Sequence, residues 1–431
     1  MAFVALGCRV NRADLDTMAA QVEGPFELVP EGEPADFVVV NTCSITHDAD
    51  SAARQAIRRA AREHPTARIV ATGCYAELAH DVLAAMPGVA AVLGVRQQLA
   101  VKDVLLGLLT GTEPEPRPAP ASEWGPSPLE AYGHTRPFLK VQDGCDQRCT
   151  YCVVPSARGA SRSMPFEQAL TQLGVLGQRN AEVVLTGVHL GAYGRDLAPR
   201  RTLSALLREA VERRLVGRIR LSSIESEEFP VEALVDPATS CALCEHFHIP
   251  LQSGSERVLR AMRRSYSPAD FERVIGEVSA LAPGSCLGTD VMVGFPGETD
   301  DEFRETVRLL ERLPFAYLHV FPFSPRPGTP AAAMDDQVPG PVARERAREL
   351  VALGEHRWRS YLKGLAGHAL DVVVERIEGG LARGTSRRYA TIRWPASDER
   401  RGQVVRVRVE ASDGQECFGI SARTFTSRLP P

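Results

Sequence analysis

Apolar and polar positions along the first hundred residues switch between two periods. Short apolar runs, AFVAL, DFVVVN, ARIVAT and AAVLG, alternate with stretches of helical spacing around 12–22, 48–63 and 77–86. Short apolar runs separated by amphipathic helices predict the order β-α-β-α-β-α-β, an open parallel sheet with helices on its faces. Residues 111–136 then hold six prolines and little apolar periodicity, the composition of a linker. A second, longer series follows, with strands expected at 137–142, 181–186, 217–222, 246–251, 286–294 and 316–322 and a long helix at 341–363. Six such units predict a (βα)6 partial barrel with its chemistry at the carboxyl ends of the strands. From about 367 the pattern changes to HALDVVVERI, RYATIRW and QVVRVRVEAS, short strands parted by turn-rich pieces. These predict a small antiparallel β-barrel of the oligonucleotide-binding kind. The expected architecture is α/β, divided at 1–110, 111–136 and 137–366, with the barrel over 367–431.

Composition agrees with several soluble domains: 431 residues, 44% hydrophobic and 24% charged, at about 150 residues per domain. No apolar run approaches the roughly 20 residues of a membrane span, and the charges that follow AFVAL are unlike a secretory leader. A cytoplasmic protein without membrane contact is expected. The net charge of −4 carries no general nucleic-acid signal, yet residues 367–431 hold 11 Arg/Lys against 8 Asp/Glu, a local +3. Within that segment Arg387, Arg388, Tyr389 and Arg393 set charge beside an aromatic ring, the pairing that grips a phosphate and stacks a base, and they are the expected RNA-binding residues. Arg54, Arg58 and Arg62 form a second basic stripe at i, i+4 and i+8, which reads either as a solvated face or as an RNA contact.

Cysteine placement carries the chemistry. Each of the first three expected strands stops at a cysteine, Cys8, Cys43 and Cys74. The carboxyl ends of parallel strands share one sheet edge, so three thiols about 30 residues apart in sequence converge there. The stretch DGCDQRCTYC places Cys145, Cys149 and Cys152 at C-x3-C-x2-C immediately after the first strand of the second series. Such short spacing lets one loop wrap three corners of an iron–sulfur cluster; the alternatives are unrelated cysteines or a zinc site short of one ligand. Cys241 and Cys244 form half a zinc knuckle without a second half nearby, and Cys286, in a strand, and Cys417, in a barrel turn, read as structural. At the other strand ends Gly187 follows Thr186, where a missing Cβ lets backbone approach a cofactor. Ser222, Ser223, Glu225 and Gln252 offer hydroxyl, carboxylate and amide groups to a bound cofactor, and GFPGET at 294–299 offers a close main-chain turn or only a turn.

The triplet resembles that of radical S-adenosylmethionine enzymes. The resemblance implies that Cys145, Cys149 and Cys152 hold a 4Fe-4S cluster with catalytic function, whose open iron takes the amine and carboxylate of S-adenosyl-L-methionine. The chain as a whole resembles the radical SAM methylthiotransferases, which implies a second 4Fe-4S cluster on Cys8, Cys43 and Cys74 with the transferred sulfur at its vacancy. ALGCRVNRADLDTM, DGCDQRCTYCVVPSARG, LTGVHLGAYG, RIRLSSIES, HIPLQSGSERVLRAMRRSYS, GTDVMVGFPGET and HVFPFSPRPGTPAA carry the likeness. They most resemble the branch acting on N6-threonylcarbamoyladenosine beside a tRNA anticodon; sister branches act on N6-isopentenyladenosine in tRNA or on a ribosomal-protein aspartate. GVHLGAYG stands where the isopentenyl branch is expected to carry a Gln-Asn pair, and the +3 contrasts with the more acidic barrel of the ribosomal-protein branch. Implied partners are the tRNA anticodon stem-loop, an electron donor such as flavodoxin or ferredoxin, and a sulfur source. Two readings outside the family stay open: a radical enzyme whose first trio is structural, and a non-catalytic iron–sulfur or RNA-binding protein.

Overall fold

The structure is a computed structural model and describes residues 1–112, 123–126 and 135–421. Most of the proline-rich 111–136 stretch and the last ten residues lie outside these. The first strands, β1 (Ala2–Ala5), β2 (Phe37–Thr42), β3 (Arg68–Gly73) and β4 (Val89–Leu93), pair in that order and in parallel. β2 is buried on both faces because its side chains alternate between two cores. Val38 and Val40 pack with Ala53 and Ile57 of helix His47–Glu63, whereas Phe37 and Val39 pack with Leu15 and Met18 of helix Arg9–Val22. The helix expected at 77–86 is two short pieces, Cys74–Leu78 and His80–Ala84, because Ala79 leaves the helical region at φ −140°.

The second series gives β5 (Phe138–Asp143), β6 (Arg162–Ser163), β7 (Val183–Gly187), β8 (Ile219–Leu221), β9 (His246–His248), β10 (Cys286–Val293) and β11 (Tyr317–Pro322). All but the two-residue β6 run parallel, as β5-β7-β8 and β9-β10-β11, with one bridge, Ile219 to Leu243, joining the two groups. The expected strand 246–251 stops at His248, since Pro250 has no N–H for a ladder. Beyond it the N–H groups of Leu251 and Gln252 both donate to Asp290 O, a bulge that leaves Gln252 at φ +65°.

The last strands, β12 (Ala369–Glu378), β13 (Leu381–Ser386), β14 (Thr391–Pro395), β15 (Val404–Ser412) and β16 (Cys417–Ser421), close a barrel around Trp394, Val372 and Val407. The barrel is not wholly antiparallel: β14 and β16 pair in parallel, Ile392 with Cys417, and that pair completes it. Cys417 thus begins a strand and is buried, where a turn was expected. Helix Gly340–Gly364 ties barrel to core, burying Leu350 in the partial barrel and Leu362 in the terminal one.

The two flanking units occupy opposite ends of the central strands. The first sheet lies over their carboxyl ends, and the terminal barrel lies against their amino ends. There Glu182, fully buried, receives Arg220 at 2.7 Å, Arg218 at 2.6 Å and Arg136 at 3.4 Å, while Arg220 also donates to Ser386 O at 2.9 Å. Burial works to raise the Glu182 carboxyl, but Arg220, Arg218 and Arg136 outweigh it and hold the group below the usual carboxylate range.

That node generates a prediction. Glu182→Gln leaves buried guanidinium groups without a counter-charge and should cost about 3–5 kcal/mol in urea denaturation. A folded-state pKa below the unfolded one means the contribution is complete above the unfolded value of about 4.3 and lost as pH falls below it. The stability gap between the parent chain and E182Q should therefore be constant near neutrality and shrink below about pH 4.3. A gap under about 1 kcal/mol at pH 7 would show that the node does not secure the barrel.

Candidate iron–sulfur and cofactor site

The first cysteine trio is assembled by small polar residues around the strand ends. Asn11 donates to Leu6 O at 2.8 Å and Thr42 O at 3.0 Å, and Asn41 donates back to Asn11 O at 2.8 Å, tying the Cys8 loop to the Cys43 loop. Thr42 donates to Thr72 O at 2.5 Å and accepts from Ala76 N at 3.2 Å, which fixes the turn bearing Cys74. Gly7 sits at φ +86°, and a Cβ there would lie 2.4 Å from Cys43 Cβ, so this position tolerates no side chain. Burial pushes the Cys43 thiol up to about 11, and the neighbouring Cys8 and Cys74 add to the rise. Burial raises Cys74 as well, against the pull of Arg158, whose Nε donates to its Sγ at 3.2 Å.

The second trio lies on the loop after β5. Gly144, at φ +70°, could not carry a Cβ without meeting Ala160 O at 2.0 Å, and Cys145 N donates to Gly159 O at 3.0 Å. Burial pushes Cys152 up to about 12 and raises Cys149. Two cationic groups face these sulfurs. Arg264 Nη1 lies 3.3 Å from Cys149 Sγ, and His189 Nδ1 lies 3.7 Å from Cys145 Sγ. Burial alone lowers the imidazole, but Cys145 and the Glu228 carboxylate, 2.6 Å from Nε2, push it up to about 10.

The whole first trio and Cys152 of the second line one cavity of about 540 Å³. Thr186, Gly187, Ser222, Ser223 and Gln252 also line it, whereas Glu225 does not; its carboxylate pairs with Arg264. Thr186 Oγ1, Ser222 Oγ and Gln252 Oε1 have no hydrogen-bond partner, although their residues are 0%, 5% and 7% exposed. Buried polar atoms left without partners on a cavity wall mark where a polar ligand binds. These atoms, with the three thiols of the first trio on one side and Cys152 of the second on the other, fit S-adenosylmethionine and two clusters held by three cysteines each. Gly187 meets a different constraint from the one expected: an added Cβ would lie 2.9 Å from Gln142, so the close approach is to protein. The turn at 294–297 likewise faces helix Gly340–Gly364, where a Cβ on Gly294 would lie 2.6 Å from Ala343 Cβ.

Other sequence candidates are placed elsewhere. Arg387 donates to Cys241 O at 2.7 Å and Leu243 O at 2.6 Å, Arg388 pairs with Glu245 at 2.7 Å, and Arg393 pairs with Glu416. Tyr389 stacks on His246 with ring centroids 3.9 Å apart. Of the four residues expected to bind RNA, Arg387, Arg388 and Tyr389 thus dock the barrel to the core, while Arg393 pairs within its own barrel with its side chain 45% exposed. Arg54 donates to Tyr75 OH at 2.6 Å, while Arg58 and Arg62 are exposed. Cys241 is exposed, Cys244 is buried with its thiol 3.4 Å from Glu182, and Cys286 is buried in β10.

Comparison with known proteins matches the same two regions. Residues 139–310 match the Radical SAM superfamily, and residues 1–94 match Uncharacterized protein family UPF0004. The chain is 35% identical over 426 residues to the threonylcarbamoyladenosine tRNA methylthiotransferase MtaB of Bacillus subtilis, covering 95% of this chain and 93% of that one. The chain belongs to the radical SAM methylthiotransferase family. The MtaB protein of Aquifex aeolicus is 36% identical, covering 87% and 92% of the two chains. The tRNA-2-methylthio-N(6)-dimethylallyladenosine synthase of Thermobifida fusca is 32% identical, covering 86% and 77%. Among solved structures, the radical S-adenosylmethionine methyltransferase TsrM from Kitasatospora setae shares the fold, with TM-score 0.56 and 17% identity over 77% of this chain and 73% of that one.

In this methylthiotransferase the halves of the site meet at Arg158. It donates to Asp14 and Asn11 of the first unit at 2.8 Å each, to Asp143 of the core at 2.9 Å, and to the Cys74 thiol. Burial works to raise Asp143, but Lys140, Arg158 and Arg162 outweigh it and hold the carboxyl well below its ordinary range. Sequence reasoning passed over Arg158, Arg264 and His189, though each lies in a segment that carries the family likeness.

Arg158→Ala should leave Asp14 and Asp143 short of a counter-charge and loosen the first cluster. After anaerobic reconstitution, mild chelation should reduce iron from about eight to about four atoms per chain, while the parent keeps both sets. Equal iron retention in the two proteins would rule out the role.

Proposed function

We propose that this methylthiotransferase replaces the hydrogen on carbon 2 of N6-threonylcarbamoyladenosine, beside a tRNA anticodon, with a methylthio group. The observation that carries the reading is the cavity lined by Cys8, Cys43 and Cys74 of the first trio and by Cys152 of the second. Two 4Fe-4S clusters, held by Cys8, Cys43 and Cys74 and by Cys145, Cys149 and Cys152, together with S-adenosyl-L-methionine, supply the radical, sulfur and methyl chemistry. The chain supplies position. A base inside a stem-loop must leave its stack to reach such a cavity. Tyr151, Met292, Phe321 and Phe323 give it an apolar wall, while Ser222 and Gln252 present hydrogen-bonding groups. Arg264 and His189 add positive charge beside Cys149 and Cys145, which favours the thiolate forms that bind iron. An electron donor such as flavodoxin or ferredoxin and a sulfur source complete the partners. The threonylcarbamoyl substrate is favoured by the higher identity to the Bacillus and Aquifex proteins, 35% and 36% against 32% for the Thermobifida synthase.

Nucleoside mass spectrometry of tRNA from a host lacking this modification tests the proposal. Expression of the chain should produce 2-methylthio-N6-threonylcarbamoyladenosine. Cys145→Ala and Cys74→Ala should each abolish it and each remove about four irons per chain. Appearance of 2-methylthio-N6-isopentenyladenosine in its place would overturn the substrate.

A further inference from the structure

Of the two nucleosides named by the relatives, only the threonylcarbamoyl one carries ureido, hydroxyl and carboxylate groups, and its carboxylate is the one formal charge that sets it apart from the dimethylallyl one. Reading that charge inside a partly buried cavity calls for a cation not already neutralised by the protein. The basic side chains on the wall are Arg9, Arg158, His248 and His319. Arg158 is committed to Asp14 and Asp143. His248 and His319 share the Asp290 carboxylate, at 2.9 and 3.3 Å. Arg9 differs: its guanidinium makes one long hydrogen bond, Nη1 to Leu221 O at 3.4 Å, and no carboxylate among the described residues pairs with it.

We propose that Arg9 is the specificity-determining residue of this cavity, its guanidinium receiving the threonyl carboxylate of the modified adenosine. The inference rests on the proposed function and names the group that selects its substrate. Arg9 follows Cys8 in the first turn of helix Arg9–Val22, a turn with no acidic residue, so the helix terminus adds to its positive potential. From there it reaches across to the end of β8, next to Ser222, whose buried hydroxyl is without a partner on the same wall. A guanidinium fork beside a free hydroxyl is a geometry suited to a carboxylate. The methionyl carboxylate of S-adenosylmethionine has the same chemistry, so the test separates the two sources.

The experiment measures binding by the reconstituted full chain, using fluorescently labelled anticodon stem-loop RNAs. They carry N6-threonylcarbamoyladenosine, its neutral threoninamide analogue, N6-isopentenyladenosine or plain adenosine. The parent protein should bind the carboxylate RNA about ten- to a hundredfold more tightly than the other three. Arg9→Ala and Arg9→Gln should remove that preference without changing affinity for plain adenosine RNA, and Arg9→Lys should keep part of it. S-adenosylmethionine affinity, read by equilibrium dialysis, should be unchanged in all three variants. A preference that survives in R9A and R9Q overturns the inference. So does a variant that weakens S-adenosylmethionine binding while the RNA preference stays, since the guanidinium then serves the cofactor. A parent protein with no preference for the threonylcarbamoyl RNA overturns the substrate reading beneath it, a result distinct from either.

Discussion

Everything about the shared cavity depends on one buried cation. Arg158 comes from the core, yet two of its three polar side-chain partners belong to the first unit, and its remaining contact is a thiol of that unit's trio. Burying a guanidinium with two carboxylates costs several kcal/mol of solvation per ion and is repaid only when each donor finds an acceptor. Here that condition is met only when the first sheet sits squarely over the strand ends. Lys140, which reaches both Asp14 at 2.5 Å and Asp143 at 2.8 Å, imposes the same requirement. Across the cavity Arg326 repeats the device, donating to Ser44 at 2.8 Å and pairing with Asp50 at 2.7 Å. Charge pairing rather than a large apolar seam therefore sets the relative position of the two trios, and charge pairing is far less tolerant of a shifted register.

The thiols meet the opposite problem. Burial raises Cys43, Cys74, Cys149 and Cys152 and so opposes the thiolate forms that iron binding requires. Arg158, Arg264 and His189 each approach one sulfur, lessening that cost without removing it. Metal binding thus releases protons, and each cluster is coupled to the salt-bridge network that surrounds it.

Much of this was legible in the sequence, for a physical reason. Strand ends, the C-x3-C-x2-C loop and the convergence of Cys8, Cys43 and Cys74 follow from local periodicity and from the geometry of a parallel sheet. The features that local pattern does not place depend on partners distant in sequence. Tyr389, set beside three arginines in the chain, stacks on His246, and Glu225 pairs with Arg264. At Gly187 a side chain would meet Gln142, 45 residues upstream. Even β16 is set by its parallel pairing with β14, which no turn signal announces.

Tyr389 carries a consequence for how ligands come and go. Its ring lies on His246, which bonds Tyr317 OH at 2.9 Å; that hydroxyl also meets His248 at 3.0 Å. Together these rings make a floor at the amino-terminal end of the partial barrel, His246, His248 and Tyr317 from its own strands and Tyr389 from the terminal barrel. A sleeve open at both ends would let cofactor, nucleoside and spent fragments pass through independently. With a floor it becomes a dead end along its axis, and a dead end imposes a queue: whatever binds deepest must enter before, and leave after, whatever binds at the mouth.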